Sequence, residues 1–368
     1  MGAPNDGRFP ATWLRRRLIA RSVNAIARLH PALTEARLIE TIARRMPAAL
    51  ARIGARGAQF AISVGDRPIR GLAFDAPAEL PFRVASIAKP WSAMLALRLA
   101  HQGRLDLDEP VGYVLSDMPP AWRLNEITPR LLLSHTAGFA DRIGAWLPVG
   151  TVADASGVLR GDHGKEYAAE AVHPPGQVTC YTSIGFTVLQ LALERRFGVP
   201  FAVLMRRELL DPLALCDSGF EPFPSHPLGE EIASDGRPVA PTWTPCAASS
   251  GLWTTALDMA RFGRAVLASA SGKSGWIEPA LARQMLIPSV SGPDGGAFAL
   301  GLHVVQDPRV WCLSHGGDRP GLRAQVLIFP NFDLVFAAIV LSEAGRKVIR
   351  PLWDLMTWLA VPRGGRPA

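Results

Sequence analysis

The 368 residues exceed one mean-sized domain, and 48% hydrophobic with 19% charged residues is the composition of a globular protein with a large core, which excludes a disordered chain. The net charge of +7 is concentrated at one end: residues 1–56 hold 11 Arg against three acids (Asp6, Glu35, Glu40), so the remainder is close to neutral. No Cys/His finger or aromatic–basic strand motif accompanies that charge, which excludes nucleic acid as a partner, and no apolar run approaches the roughly 18–20 residues that span a bilayer.

Arg15, Arg16 and Arg17 look like the start of an export signal, but Arg21 and Arg28 interrupt the apolar stretch that should follow. Export by cleavage is therefore not expected, although an Arg-rich, acid-poor start also resembles an organelle transit peptide. Cys180, Cys216, Cys246 and Cys312 are widely spaced and form no Cys-X-X-Cys pair. Reduced, mostly buried thiols are expected, with no disulfide scaffold and no zinc site, which fits a cytoplasmic protein.

Pro10 to Leu29 predicts a basic helix, a segment suited to weak contact with a membrane surface or an acidic partner. A second helix follows, with Leu33, Leu38, Ile39, Ile42, Met46, Leu50 and Ile53 at helical spacing. Gln59–Val64 and Ile69–Ala73 predict two strands joined by a turn at Gly65-Asp66. Ser86 then opens a helix running to about Ala100, with Pro90 tolerated in its first turn. From there to about residue 290 the pattern is helical with long Gly/Pro-rich connections, such as Leu147–Gly164 and Pro222–Pro245. Four strands, Ala299–Val305, Arg309–Leu313, Arg323–Phe329 and Leu334–Leu341, and a helix over Val348–Leu359 close the chain.

Strands at both ends with helices between predict an α+β fold: an antiparallel sheet flanked by helices, carrying a large inserted helical subdomain. The expected division is a basic helical extension over residues 1–32 and one catalytic domain over 33–362. Its sheet region spans about 33–85 and 295–362, its helical region about 90–290.

Three segments carry candidate chemistry. Ser86-Ile87-Ala88-Lys89 puts a hydroxyl and an amine three residues apart at a helix start, where they share a face. Serine is a poor nucleophile unless a neighbouring base takes its proton, and a lysine serves only where its environment weakens its hold on its own. Pro174–Ser183 sets Tyr181 just before the apolar helix Ile184–Phe197, so that a phenol can face a cleft and relay a proton. Leu313–Gly321 carries His315 beside the paired glycines Gly316 and Gly317 in the expected turn between two strands. Paired glycines let a backbone N–H approach a ligand, as an oxyanion hole requires.

In this order the three segments resemble the β-lactamase family of class C type, with its penicillin-binding-protein and esterase relatives. Leu132-Leu133-Ser134-His135-Thr136-Ala137-Gly138 and the run from Ser250-Gly251 to Arg261-Phe262 resemble two further family signatures, the second as a glycine-led helix start. The resemblance covers about residues 35–360. It implies Ser86 as nucleophile, Lys89 as its activator, Tyr181 as general base and later proton donor to the leaving group, and the backbone N–H groups of Ser86 and Asp318 as the oxyanion hole. His315 stands where many relatives carry a lysine, and His135 is expected to be structural, shaping its loop.

The family's Tyr-X-Asn appears here as Tyr181-Thr182-Ser183. Serine is shorter than asparagine and has a different donor and acceptor set. With a neutral imidazole at His315 instead of lysine, the anchor for a lactam carboxylate is weakened and ester or thioester chemistry is favoured. The expectation is an acyl-Ser86 hydrolase, esterase-like, acting on a small-molecule or peptidyl acyl substrate without cofactor or metal. Alternatives are a biosynthetic transacylase or peptide-cyclising enzyme, a β-lactamase or D-amino-peptidase, and a catalytically silent binding protein.

Overall fold

The computed structural model describes residues 31–221, 237, 242–291, 297–307 and 310–359. The basic helix expected over Pro10–Leu29 and most of the Pro222–Pro245 connection lie outside them. The described chain begins with α1 (Pro31–Arg52), whose Leu38, Ile42, Met46 and Leu50 recur every fourth residue and are all buried. Spacing of four puts them on one stripe. Arg44, Arg45 and Arg52 fall on its exposed side, so this half of the basic segment is a solvated helix face.

Among the described residues an eight-stranded antiparallel sheet organises the molecule. In chain order its strands are β1 (Ala58–Val64), β2 (Arg70–Phe74), β3 (Val290–Ser291), β4 (Ala297–Phe298), β5 (His303–Asp307), β6 (Val310–Arg319), β7 (Leu322–Phe329) and β8 (Leu334–Val340). They lie side by side in the order β2-β1-β8-β7-β6-β5-β4-β3, so the two ends of the chain meet where β1 pairs with β8. Alternation sorts β8 between two cores: Leu334, Phe336, Ala338 and Val340 face one side, Val335, Ala337 and Ile339 the other. The first side is covered by α1 and the closing helix (Arg346–Leu359), through Val348, Ile349, Leu352 and Met356.

The helical region covers the other side. It contains the central helix α2 (Ala88–His101), α3 (Ile184–Phe197) and α4 (Ala256–Ala270), all joined in one core with the sheet. Two polar residues of β1 face α4 and are satisfied there. Gln59 accepts from the Ala256 N–H, and Ser63 accepts from Arg264.

Several expectations change. The segment read as a turn after Leu313 is strand through Arg319, and the reversal falls at Pro320-Gly321, where Gly321 takes φ +72°. Strand glycines are expected where another backbone comes close, and one does here, at Gly317. The strand expected from Ala299 starts only at His303, because the Ala299 N–H turns back to the Leu302 carbonyl. Leu147–Gly164 contains a helix, Ala155–Arg160, started by Asp154 accepting the Gly157 N–H at 2.6 Å. The glycine-led helix start is interrupted by a strand, Leu252–Thr254, before Thr255 caps α4. Of the four free thiols only Cys246 and Cys312 are buried; Cys216 is exposed and Cys180 half-buried. No helix among the described residues is long and apolar enough to cross a membrane.

Candidate active site

The site begins with a strained turn. The short strand Phe82–Arg83 pairs with Leu252–Thr254, and the Val84 N–H continues the ladder to the Leu252 carbonyl at 3.0 Å. Ala85 then takes φ +46°, a left-handed conformation unusual for a residue with a Cβ. That reversal aims the chain into a single 3-10 turn, Ala85–Ile87, carrying Ser86, and α2 follows directly. Ser86 thus sits in the turn before the helix, not in its first turn.

Lys89, three residues on, is fully buried. Its Nζ donates to Ser86 Oγ at 3.1 Å, to Ser183 Oγ at 3.3 Å and to the Ser249 carbonyl at 3.1 Å. An ammonium has three protons, and all three are engaged. Burying such an ion costs several kcal/mol, which three charge-assisted bonds of about 1.5–3 kcal/mol each offset. Ser183 lies at the start of α3 and Ser249 in the short helix Ala247–Ser250, so the lysine ties three segments of the helical region together.

The Tyr181 ring lies beside this ammonium, its centroid 5.0 Å from Nζ. Around it stand Phe298 and three imidazoles: His135 at 4.6 Å, His303 at 5.8 Å and His315 at 6.1 Å between ring centroids. Burial above all keeps these imidazoles neutral. His303 is pushed down to about 4 by burial and then by the Lys89 charge. His135 and His315 are held well below the usual imidazole range, by burial first and then by Lys89 and the neighbouring histidines. His315 Nδ1 meets the Gly316 carbonyl at 2.8 Å, so the proton is on Nδ1, and the buried Nε2 has no partner among the described residues.

The strand β6 supplies the other wall. Its pairing with β5 ends at Ser314, opposite His303, while its pairing with β7 continues to Arg319. One backbone edge from His315 onward is therefore left without a strand neighbour among the described residues, and the Ser86 turn packs there. Gly316 has room around it, whereas a Cβ on Gly317 would stand 1.9 Å from the Val84 carbonyl. The Asp318 carboxylate is engaged by Arg323 at 3.2 Å and by Arg346, so it is the backbone of this residue that remains for the site.

The sequence-predicted residues Ser86, Lys89, Tyr181, Ser183 and His315 thus meet around one point, with Gly316, Gly317 and Asp318 along the adjoining edge. Sequence reasoning missed His303, the Ser249 carbonyl and Arg319. The Arg319 guanidinium lies 3.6 Å above the Trp146 ring and donates to Thr242 at 3.2 Å. His303 sits opposite Ser314, one register position from His315, a signal visible once the strands are aligned. The Ser249 contact is through a carbonyl and has no side-chain signature. His135, expected to be structural only, lies against Tyr181.

Residues 42–353 match the family model described as Beta-lactamase. Among curated proteins, the chain is 33% identical over 156 residues to Esterase EstB of Burkholderia gladioli, covering 38% of each chain. It is 30% identical over 218 residues to Penicillin-binding protein 4 of Amycolatopsis lactamdurans, covering 53% of each. These alignments span about two fifths to one half of those relatives' length. Among solved structures, SurE superposes with a TM-score of 0.73 at 23% identity, over 91% of this chain and 79% of that one. The D-amino acid amidase from Ochrobactrum anthropi SV3 superposes with a TM-score of 0.68 at 19% identity, over 84% and 95%. At these identities the two structures share the fold.

Proposed function

The chain belongs to the Beta-lactamase family of serine hydrolases, and on that premise we propose that it forms an acyl-enzyme on Ser86, with neutral esters or thioesters as its substrates. The observation that carries this reading is the 3.1 Å contact between Lys89 Nζ and Ser86 Oγ at the start of α2, with the Tyr181 ring beside the same nitrogen.

In the proposed reaction Ser86 Oγ attacks the acyl carbonyl and its proton passes to Tyr181 acting as general base, with the Lys89 ammonium beside its ring. The oxyanion is received by the Ser86 and Asp318 N–H groups, each such donor contributing about 3–4 kcal/mol at the transition state. As the bond to the leaving group breaks, Tyr181 returns the proton to the departing oxygen of an ester or sulfur of a thioester. Water then enters by the same steps in reverse and releases the acid.

The substrate class rests on the wall of the site. Three neutral imidazoles stand around Tyr181, His315 among them at the place where many relatives carry a lysine, and Arg319, the nearest cation on β6, is buried against Trp146 and bonded to Thr242. A neutral acyl group meets no penalty there, whereas an anionic one meets neutral rings and a cation already engaged. The name of EstB points the same way; those of the penicillin-binding protein and the amidase keep peptide-like acyl groups in view.

Intact mass spectrometry tests the acyl-enzyme. A fluorophosphonate should add one adduct, and Ser86→Ala should abolish it; an unmodified wild-type protein would favour a silent binding protein. Product analysis with a competing amine or alcohol separates hydrolysis from transfer, since release of free acid alone removes the transacylase alternative.

A further inference from the structure

The signature Ser134–Gly138 is the dock for the segment that carries Tyr181. The Gly138 carbonyl accepts the Val172 and His173 N–H groups at 2.9 and 3.0 Å, and the Thr136 carbonyl accepts the Gly176 N–H at 2.7 Å. His135 makes the last two contacts, one on each side of the tyrosine. Its carbonyl accepts the Cys180 N–H at 2.8 Å, and its Nδ1 accepts the Thr182 N–H at 3.3 Å. Its ring lies against the Tyr181 ring at 4.6 Å, and Phe186 and Phe298 close around it at 5.3 and 4.8 Å.

Two local costs accompany this arrangement. His135 holds φ +60°, a left-handed conformation costing a residue with a Cβ roughly 1–2 kcal/mol. With Nδ1 accepting, the ring proton is on Nε2, which is buried without a partner among the described residues. An unsatisfied buried donor costs about 1–3 kcal/mol. Strain and an orphaned donor on one residue beside a candidate proton carrier point to a requirement stronger than loop packing.

We propose that His135 is a positioning residue that fixes Tyr181 beside Lys89 by gripping the backbone on both flanks of the tyrosine and bracing its ring. The role rests on the acyl-enzyme reading above, in which the proton taken from Ser86 Oγ is carried by Tyr181 and passed to the leaving oxygen as its bond to the acyl carbon breaks. Burial supports the grip, because an imidazole kept neutral retains the lone pair that accepts the Thr182 N–H. A misplaced phenol would hamper both transfers, removal of the proton from Ser86 Oγ and its delivery to the leaving oxygen, but only the second depends on the leaving group. Esters whose leaving group departs as a stable anion need that proton little; simple alkyl esters need it fully.

The test compares a p-nitrophenyl ester with an ethyl ester of the same acid. His135→Leu should lower kcat/KM for both esters, by about 100-fold for the ethyl ester, the scale of a 1 Å misplacement, and by only about tenfold for the p-nitrophenyl ester, which needs the phenol for the attack but not for the departure. His135→Asn, which tolerates the left-handed backbone and offers Oδ1 near the place of Nδ1, should restore the ethyl ester to within about fivefold of wild type. Should the leucine variant fail to fold, His135→Gln takes its place, because its acceptor lies too far along the side chain to reach Thr182. Equal losses on both esters, no loss on either, or an asparagine variant as poor as leucine would overturn the role. A wild-type protein inert to both esters and to the fluorophosphonate would instead sink the acyl-enzyme reading, and the step that His135 is proposed to serve with it.

Discussion

Gly317 and Val84 touch through their backbones: a Cβ on the glycine would come within 1.9 Å of the Val84 carbonyl and 3.1 Å of Ile87. The strand β6 and the turn holding Ser86 are therefore fitted to each other at a place where no side chain can stand. Gly317→Ala should push the turn away from the strand edge and separate the two N–H groups proposed to hold the oxyanion. The expected result is a fall in kcat of about 100-fold with a stability loss of about 1–3 kcal/mol, read from ester kinetics and thermal melting together. Gly316→Ala, whose Cβ would meet nothing nearer than Gln325 Oε1 at 3.4 Å, an ordinary contact, should cost much less, and equal effects at the two positions would contradict the argument.

Lys89 makes a second prediction. Its side chain is fully buried, and its three bonds run to Ser86, Ser183 and the Ser249 carbonyl. Lys89→Met preserves length and volume but removes the charge beside the nucleophile, and kcat/KM should fall by about 10²–10⁴-fold. Lys89→Arg should not rescue it, because the wider guanidinium cannot fit among the same three acceptors. Fluorophosphonate labelling of Ser86, followed by intact mass, reads both variants without depending on the natural substrate. Labelling at the wild-type rate in either would remove the lysine from the mechanism.

How much of this was legible beforehand depends on whether the signal lay in side-chain spacing or in backbone geometry. The apolar stripe of α1 and the alternation along β8 follow from periods of four and two, and both sit where that logic puts them. Ser86 and Lys89 share a face because three residues is nearly one turn. The extent of β6 was not legible, since Gly316-Gly317 is ordinary turn language until a second backbone is known to press on it. Nor was the strain at Ala85 or His135, because neither residue type announces a positive φ. His135 and His303 join the site only through the tertiary fold, His303 across more than a hundred residues of chain from Tyr181.

The buried imidazoles predict acid sensitivity. His303 titrates near 6.5 in the unfolded chain but is pushed down to about 4 in the folded one, by burial and by Lys89. Between those values the unfolded state binds a proton that the folded state refuses, so stability is full above pH 6.5 and is lost as pH falls towards 4. His135 and His315, displaced in the same direction, extend the loss further into acid. Urea melts at pH 7, 6, 5 and 4 should show stability falling steadily. His303→Phe, which keeps the stacking on Phe298, should reduce the slope by about one proton, at most about 1.4 kcal/mol per pH unit. An unchanged slope would mean that this imidazole does not control the transition.

Ser183 accepts from Lys89 at 3.3 Å and is itself almost wholly buried, in the position where the family's Tyr-X-Asn pattern has an amide. An asparagine there can keep the lysine bond through Oδ1 and add an NH₂ donor that serine lacks. Ser183→Asn should therefore favour substrates carrying an amide next to the reacting carbonyl. One added hydrogen bond, about 0.5–1.5 kcal/mol, corresponds to up to about tenfold. The measurement is the ratio of kcat/KM for an amide-bearing β-lactam to that for a simple ester. It should rise in the variant with Ser86 labelling intact. An unchanged ratio would mean that position 183 serves the lysine alone and does not face the substrate.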